Sequence, residues 1–344
     1  MRRWNLLFLA IGMAALCGMV AHIGATMLTQ GLLRVGWGFL ALCALHFSAI
    51  ALDACNLRFC AGESGARVPA LQFIRANLAG HAINSATPFG QLGELTKYSL
   101  LSEHVPEEDA AATMVLSNLV RLVATCLLLG IGQPLVTLVL GLESSVSTLI
   151  HASSALFLVI AMGTVVVVRG GVGRLPFELA KRLGIPSDQV ERARAFWSRV
   201  ESLARRGARN RRQMVYAGAM VACSAACDLA EVTVILWLLG VEHGPSVALL
   251  AMGNAQIVSW LTGFVPLGAG TAEAGAYVFF RALGLPPNIG VLLELVKKVR
   301  RVVFVGLGVV VLGNQAFRQH LGGRIPAPEP AVAPSPDYSP VDRA

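Results

Sequence analysis

The sequence predicts an all-α, polytopic membrane protein, and three observations carry that prediction. Of 344 residues, 55% are hydrophobic and only 14% charged, whereas soluble domains carry about 25% charged residues. Several apolar runs are long enough to cross about 30 Å of hydrocarbon, which takes roughly 20 helical residues. Two further apolar stretches are interrupted by Pro and Gly and then carry a carboxylate: Pro88, Gly90 and Glu94 in the first, Pro266, Gly268, Gly270 and Glu273 in the second. Pro removes a backbone donor and Gly relaxes the dihedrals, so helices should break there. In a bilayer, broken backbone is tolerated only where it is buried in protein or lines a wet cavity.

These rules predict about six full spans and two broken or re-entrant segments. Behind Met1-Arg-Arg, an apolar run over 4–27 is the first span. A cleaved signal peptide is the competing reading, but the run is long for one and no small-x-small site closes it. A second span covers 35–56, and a loop with Arg58 and Arg67 follows. The segment 69–105 is the first broken one: Asn77, His81 and Asn84 share a helical face before Pro88, and Glu94 and Lys97 come after it. Spans over 110–131 and 145–168 follow, the former carrying Asn118 and Arg121. Another over 214–239 holds Asp228 and Glu231 three residues apart. The second broken segment is 247–285, and the last span follows it. In that last helix Glu294, Lys297, Lys298 and Arg301 fall within an arc of roughly 100°, with Arg300 beside it, ahead of a wholly apolar run. The recurrence of Pro-x-Gly, a further Gly and then Glu suggests a degenerate, inverted duplication. Residues 1–321 thus form one transmembrane domain, and the Pro-rich tail 322–344 has the composition of a disordered segment.

The formal charge of +8 is local: residues 169–212 hold twelve Lys/Arg against Glu178, Asp188, Glu191 and Glu201. One basic loop between apolar spans marks the cytoplasmic side, whereas a uniformly basic chain would point to nucleic acid. If both broken segments enter and leave on one face, both termini and nearly every loop cation are cytoplasmic, as in a multi-pass protein of a bacterial-type inner membrane. Within the basic loop Val190, Ala193, Trp197 and Val200 fit one helical face, which allows an interfacial helix as well as a solvated loop. The seven Cys show no zinc-like spacing with His and suggest no disulfide framework. No metal site and no cofactor are expected, and Gly268-x-Gly270 is not a dinucleotide fingerprint.

The motifs Asn84…Pro88-x-Gly90-x-x-Gly93-Glu94…Lys97 and Pro266-x-Gly268-x-Gly270-x-x-Glu273 resemble those of the flippase-like membrane domain of the lysylphosphatidylglycerol synthase family. The resemblance covers residues 5–320. It implies the short form of that family, lacking the soluble aminoacyl-transferase domain, so aminoacylation is not implied. Two departures stand out: Lys97 occupies a position where Arg is common, and the 297–301 cluster has more cations than the single Arg expected.

The chemistry that would join these residues to lipid handling is electrostatic. A charge at the bilayer centre costs about 2.5–3.5 kcal/mol, so the cations at 297–301 would cost on the order of 10 kcal/mol if they faced lipid. They must meet carboxylates, water or a phosphate. The expected function is binding a lipid or lipid-linked headgroup and translocating it between leaflets. The alternatives are a lipid-modifying transferase using Glu273 or Asp228 as base, and a non-transporting scaffold for such an enzyme. The expected partners are membrane lipids with anionic headgroups, with a homo-oligomer or a lipid-modifying partner left open and nucleic acid excluded. The substrate-binding candidates are Asn84, Pro88, Gly90, Glu94, Lys97, Arg121, Asp228, Glu231, Pro266, Gly268, Glu273, Lys297, Lys298 and Arg301. The last expectation is that both broken segments and the charged stripe line one cavity.

Overall fold

The computed structural model describes residues 35–87, 92–142, 144–170, 187–242, 244–263, 265 and 270–321. The predicted first span, the Pro88-x-Gly90 and Pro266-x-Gly268 turns, the first part of the basic loop and the tail lie outside the described residues. Within them every regular element is an α-helix: α1 Gly38–Cys60, α2 Gly62–Ala66, α3 Ala70–Ala86, α4 Leu92–Leu101, α5 Glu107–Leu140, α6 Ser144–Gly170, α7 Ser187–Arg209, α8 Arg211–Leu238, α9 Gly244–Leu261, α10 Thr271–Ala282 and α11 Pro287–Leu321. Among the described residues, four helices are long and apolar enough to cross a membrane, namely α1, α5, α6 and α8.

Local chemistry accounts for most boundaries. α5 begins after Pro106, with Glu107, Glu108 and Asp109 in its first turn, where the helix dipole favours anions. α8 is capped by Asn210, whose side chain accepts from the Gln213 N–H at 3.3 Å. α11 opens with Pro287 at its first position, where the missing N–H leaves no gap in the ladder. Thr87 is extended, at φ −111° and ψ 148°, as a residue before Pro must tend to be. The first broken segment is therefore α3, a break, then α4; the second is α9, a break, then α10.

Two boundaries differ from the sequence expectation. α5 runs on to Leu140 rather than stopping near 131, with Pro134 in its interior; apolar surroundings and neighbouring helices tolerate such a Pro. The supposed loop after residue 56 is helical through Arg58 to Cys60, and α2 follows, because no helix breaker occurs before Gly62. Of the two readings left open for the basic loop, residues 187–209 take the helical one and form α7. It packs along α5 and α8 with Val200 buried and Trp197 exposed.

α1 packs along α8, and α5 packs along α6. The charged helix α11 lies between the two broken segments, against α3 on one side and α10 on the other. Both contacts demand glycine. A Cβ at Gly308 would strike Ala82 and the Leu78 carbonyl of α3, and one at Gly290 would lie 2.6 Å from the Ala276 carbonyl of α10. Two apolar clusters flank these seams, Phe73, Ala79, Ile83 and Leu312 around α3 and Ile235, Leu236, Phe280 and Leu293 around α8 and α10. The outer faces of α5 and α6 expose Leu138, Leu149, Val159 and Met162, an apolar exterior suited to lipid.

Candidate functional site

In the first broken segment the polar face of α3 turns inward and ties the break together. Asn84 Oδ1 accepts the Gly93 N–H at 2.7 Å, and its Nδ2 donates to Glu94 Oε1 at 3.0 Å. Glu94 also takes Lys97 Nζ at 2.8 Å and, on Oε2, Asn118 Nδ2 at 2.9 Å. One carboxylate thus joins α3, α4 and α5, with charge-assisted bonds replacing the water it has lost. Lys97, buried at 9% exposure, has Glu94 as its ion-pair partner.

The second broken segment meets the charged stripe of α11. Gly270, at φ 79°, occupies the position before α10, and its N–H donates to Glu273 Oε2 at 3.1 Å. The other oxygen of Glu273 takes Lys298 Nζ. One turn apart on α11, Glu294 and Lys297 pair at 2.7 Å.

Between these two networks lies a third. Asp53 on α1 pairs with Arg121 on α5, and Glu231 on α8 pairs with Arg300 on α11. Glu231 is 1% exposed and Arg300 8%, so each is the other's main replacement for water. His46 on α1 sends Nε2 to Nε2 of His81 on α3 at 3.3 Å, while its Nδ1 faces Glu231 at 3.5 Å. Phe304 closes over the His46 ring edge-on. His46, Asp228 and Glu231 bring ligand-type atoms within 4.8 Å of one another. The Arg300 guanidinium on Glu231 would repel a divalent ion there, so this set does not suit a metal.

A cavity of about 610 Å³ opens beside these networks. Its wall takes His81, Asn84, Ser85 and Thr87 from the first segment, Gly263, Val265, Ala272 and Ala276 from the second, and Glu294, Lys297, Arg300 and Arg301 from α11. Asn254 and Gln256 of α9 complete its polar side, and Trp260, Phe279 and Phe280 its apolar side. Three cations thus stand against one carboxylate on the wall.

Of the sequence candidates, Asn84, Lys297 and Arg301 line this cavity, while Glu94, Glu273, Lys298 and Glu231 stand behind the wall as partners of lining or neighbouring groups. Lys97, Arg121 and Asp228 are not on the wall either, and Pro88, Gly90, Pro266 and Gly268 lie outside the described residues. Sequence reasoning passed over His46 and Asp53. The signal was there: two ionisable residues seven apart, on one face of a membrane-grade run. Asn254 and Gln256 carried no such mark.

A family model described as the lysylphosphatidylglycerol synthase TM region matches residues 5–308. No curated protein and no solved structure matches the chain.

Proposed function

The chain belongs to the family of the lysylphosphatidylglycerol synthase transmembrane region, and from that membership we propose that it binds the headgroup of a lipid or lipid-linked molecule in the 610 Å³ cavity and carries it between leaflets. The observation that carries this reading is the composition of the wall. Lys297, Arg300 and Arg301 share it with one carboxylate, Glu294, and with neutral donors from both broken segments. Such a wall replaces the hydration of an anionic headgroup, which could not otherwise leave water cheaply. The N-terminus of α10 begins at Thr271, next to lining residue Ala272, and its dipole adds to the attraction. Phe279, Phe280 and Trp260 supply an apolar boundary that acyl chains tolerate.

Glu94 and Glu273 act in this reading by holding the two breaks in place, and Lys298 holds Glu273. The test is translocation in vesicles containing the full chain, with fluorescent phosphatidylglycerol or phosphatidylcholine placed in one leaflet. The parent should move the anionic lipid faster than protein-free vesicles do. Lys297→Ala and Arg301→Ala should each slow it at least tenfold, the equivalent of about 1.4 kcal/mol. Glu94→Gln and Glu273→Gln should fold and slow it less. Unchanged rates in all four variants would remove the cavity from the function.

A further inference from the structure

The ionised groups behind the cavity balance one another. Five ion pairs, Glu94–Lys97, Asp53–Arg121, Glu294–Lys297, Glu273–Lys298 and Glu231–Arg300, account for ten of them. The other two of this core are Asp228, which interacts with Asp53, Arg121, Lys297 and Arg300, and Arg301, which interacts with Glu294 and Glu273. Among the described residues this polar core is neutral with both buried imidazoles uncharged. An anionic headgroup entering the cavity would therefore leave one uncompensated negative charge, at about 2.5–3.5 kcal/mol in a bilayer interior.

The imidazole pair offers the compensation. Two Nε2 atoms at 3.3 Å can share only one proton between them, so the pair is not doubly charged. The arrangement that suits the neighbours has His46 Nδ1–H facing the Glu231 carboxylate and His46 Nε2 accepting from His81 Nε2–H. His81 is on the cavity wall, and Asp228 lies beyond His46, within 4.8 Å of its ligand-type atom. His81 on the cavity wall, His46 and Glu231 thus stand in line at 3.3 and 3.5 Å, and beside them lies Asp228, a carboxylate with no ion pair among the described residues.

We propose that headgroup transfer is coupled to one proton, which enters from the cavity through His81 and His46 and rests on the Asp228–Glu231 side of the chain while the anionic headgroup is bound. The proton comes from cavity water, neutralises one carboxylate, and returns to water by the same imidazoles when the headgroup leaves. Headgroup and proton cross together, so the loaded site carries no more charge than the empty one. Carboxylate and imidazole chains of this kind serve as proton relays in membrane transporters. The groups facing the relay are Asp53 and Cys43 on α1, Lys97 on α4, Arg121 on α5, Cys227 on α8, and Lys297, Arg300 and Arg301 on α11. This inference rests on the anionic-headgroup reading and adds its coupling ion.

The test is equilibrium binding of short-chain phosphatidylglycerol to the full-length protein in detergent, from about pH 6 to about pH 9. Uptake of one proton with the lipid makes affinity fall by up to about tenfold per pH unit at the alkaline end. Phosphatidylcholine, which brings no net charge, should show no such slope. Asp228→Asn fixes the neutral state without a proton. It should bind phosphatidylglycerol at alkaline pH as tightly as the parent does at acid pH, with the slope gone. His81→Gln should keep the equilibrium slope but slow translocation in vesicles. Binding of phosphatidylglycerol that ignores pH in the parent overturns the coupling and leaves the headgroup reading standing. Absence of binding at every pH, in both parent and Asp228→Asn, overturns both.

Discussion

Glu231 and Arg300 show what a buried ion pair does at the scale of single residues. Both are almost fully enclosed, and each would be stranded without the other. Breaking such a pair from one side costs about 3–5 kcal/mol, because the remaining charge keeps its desolvation penalty and loses its partner. Glu231→Ala should therefore lower the thermal midpoint of the purified protein markedly, whereas the double variant Glu231→Leu with Arg300→Met should recover much of the loss. A double variant no more stable than Glu231→Ala would show that the pair is not what holds α8 to α11. Asn84 is as exacting in a different way, since its single amide serves both the Gly93 N–H and Glu94. The identity of these partners was only half legible. Glu94 with Lys97 and Glu294 with Lys297 are three apart on one helix, a spacing that periodicity alone makes a contact. Asp53 with Arg121 and Glu231 with Arg300 join helices distant in sequence, and no local pattern encodes them.

Among the elements, α7 is the one for which composition left two readings open. A run of arginines allows a solvated loop or an interfacial helix, and residues 187–209 are helical, with Val200 buried and Arg194, Arg199, Arg205 and Arg206 outward. Arg199 reaches Glu108 at the start of α5 at 3.4 Å, an exposed contact of small worth. Arg205 pairs with Glu201 one turn away at 2.6 Å, and the outward arginines of α7 as a set would be attracted to an anionic leaflet at about 1 kcal/mol each. A nitroxide at position 197, introduced as Trp197→Cys in the full-length protein, should become more accessible to oxygen and less to a water-soluble quencher in anionic vesicles. Zwitterionic vesicles or high salt should reverse this. An accessibility that is the same in both vesicle types would leave α7 as a solvated helix. The two broken segments were legible as breaks because Pro and Gly act locally. The exact helix ends flanking them were not, and neither was the persistence of α5 past Pro134, where neighbouring helices decide.

For the whole molecule, the sidedness of the basic segment organises everything else. The concentration of Lys/Arg at 169–212 predicts that it lies in the cytoplasm. A single cysteine at Ser198, in a background without the exposed Cys223, should not react with an impermeant maleimide added to intact cells and should react once the cells are opened. Ready labelling from outside would invert the molecule and with it the direction in which the cavity faces. α11 is the central member of the assembly, since both broken segments pack on it and its stripe supplies most of the charge on the cavity wall.

The sequence by itself determined the class of this protein, its helical character, the places where helices break and the need for its charged stripe to be satisfied. Each of these follows from one-dimensional quantities: hydropathy along the chain, the backbone limits of Pro and Gly, and the cost of a charge in hydrocarbon. Tertiary structure alone decided which cation meets which carboxylate, that His46 and His81 face each other across α1 and α3, and that α9 contributes Asn254 and Gln256 to the cavity. Those outcomes depend on how closely helices approach, and the approach is set by small residues such as Gly290 and Gly308 acting on partners far away in sequence. Hydropathy can require that a charge be buried with a partner, but only packing selects the partner.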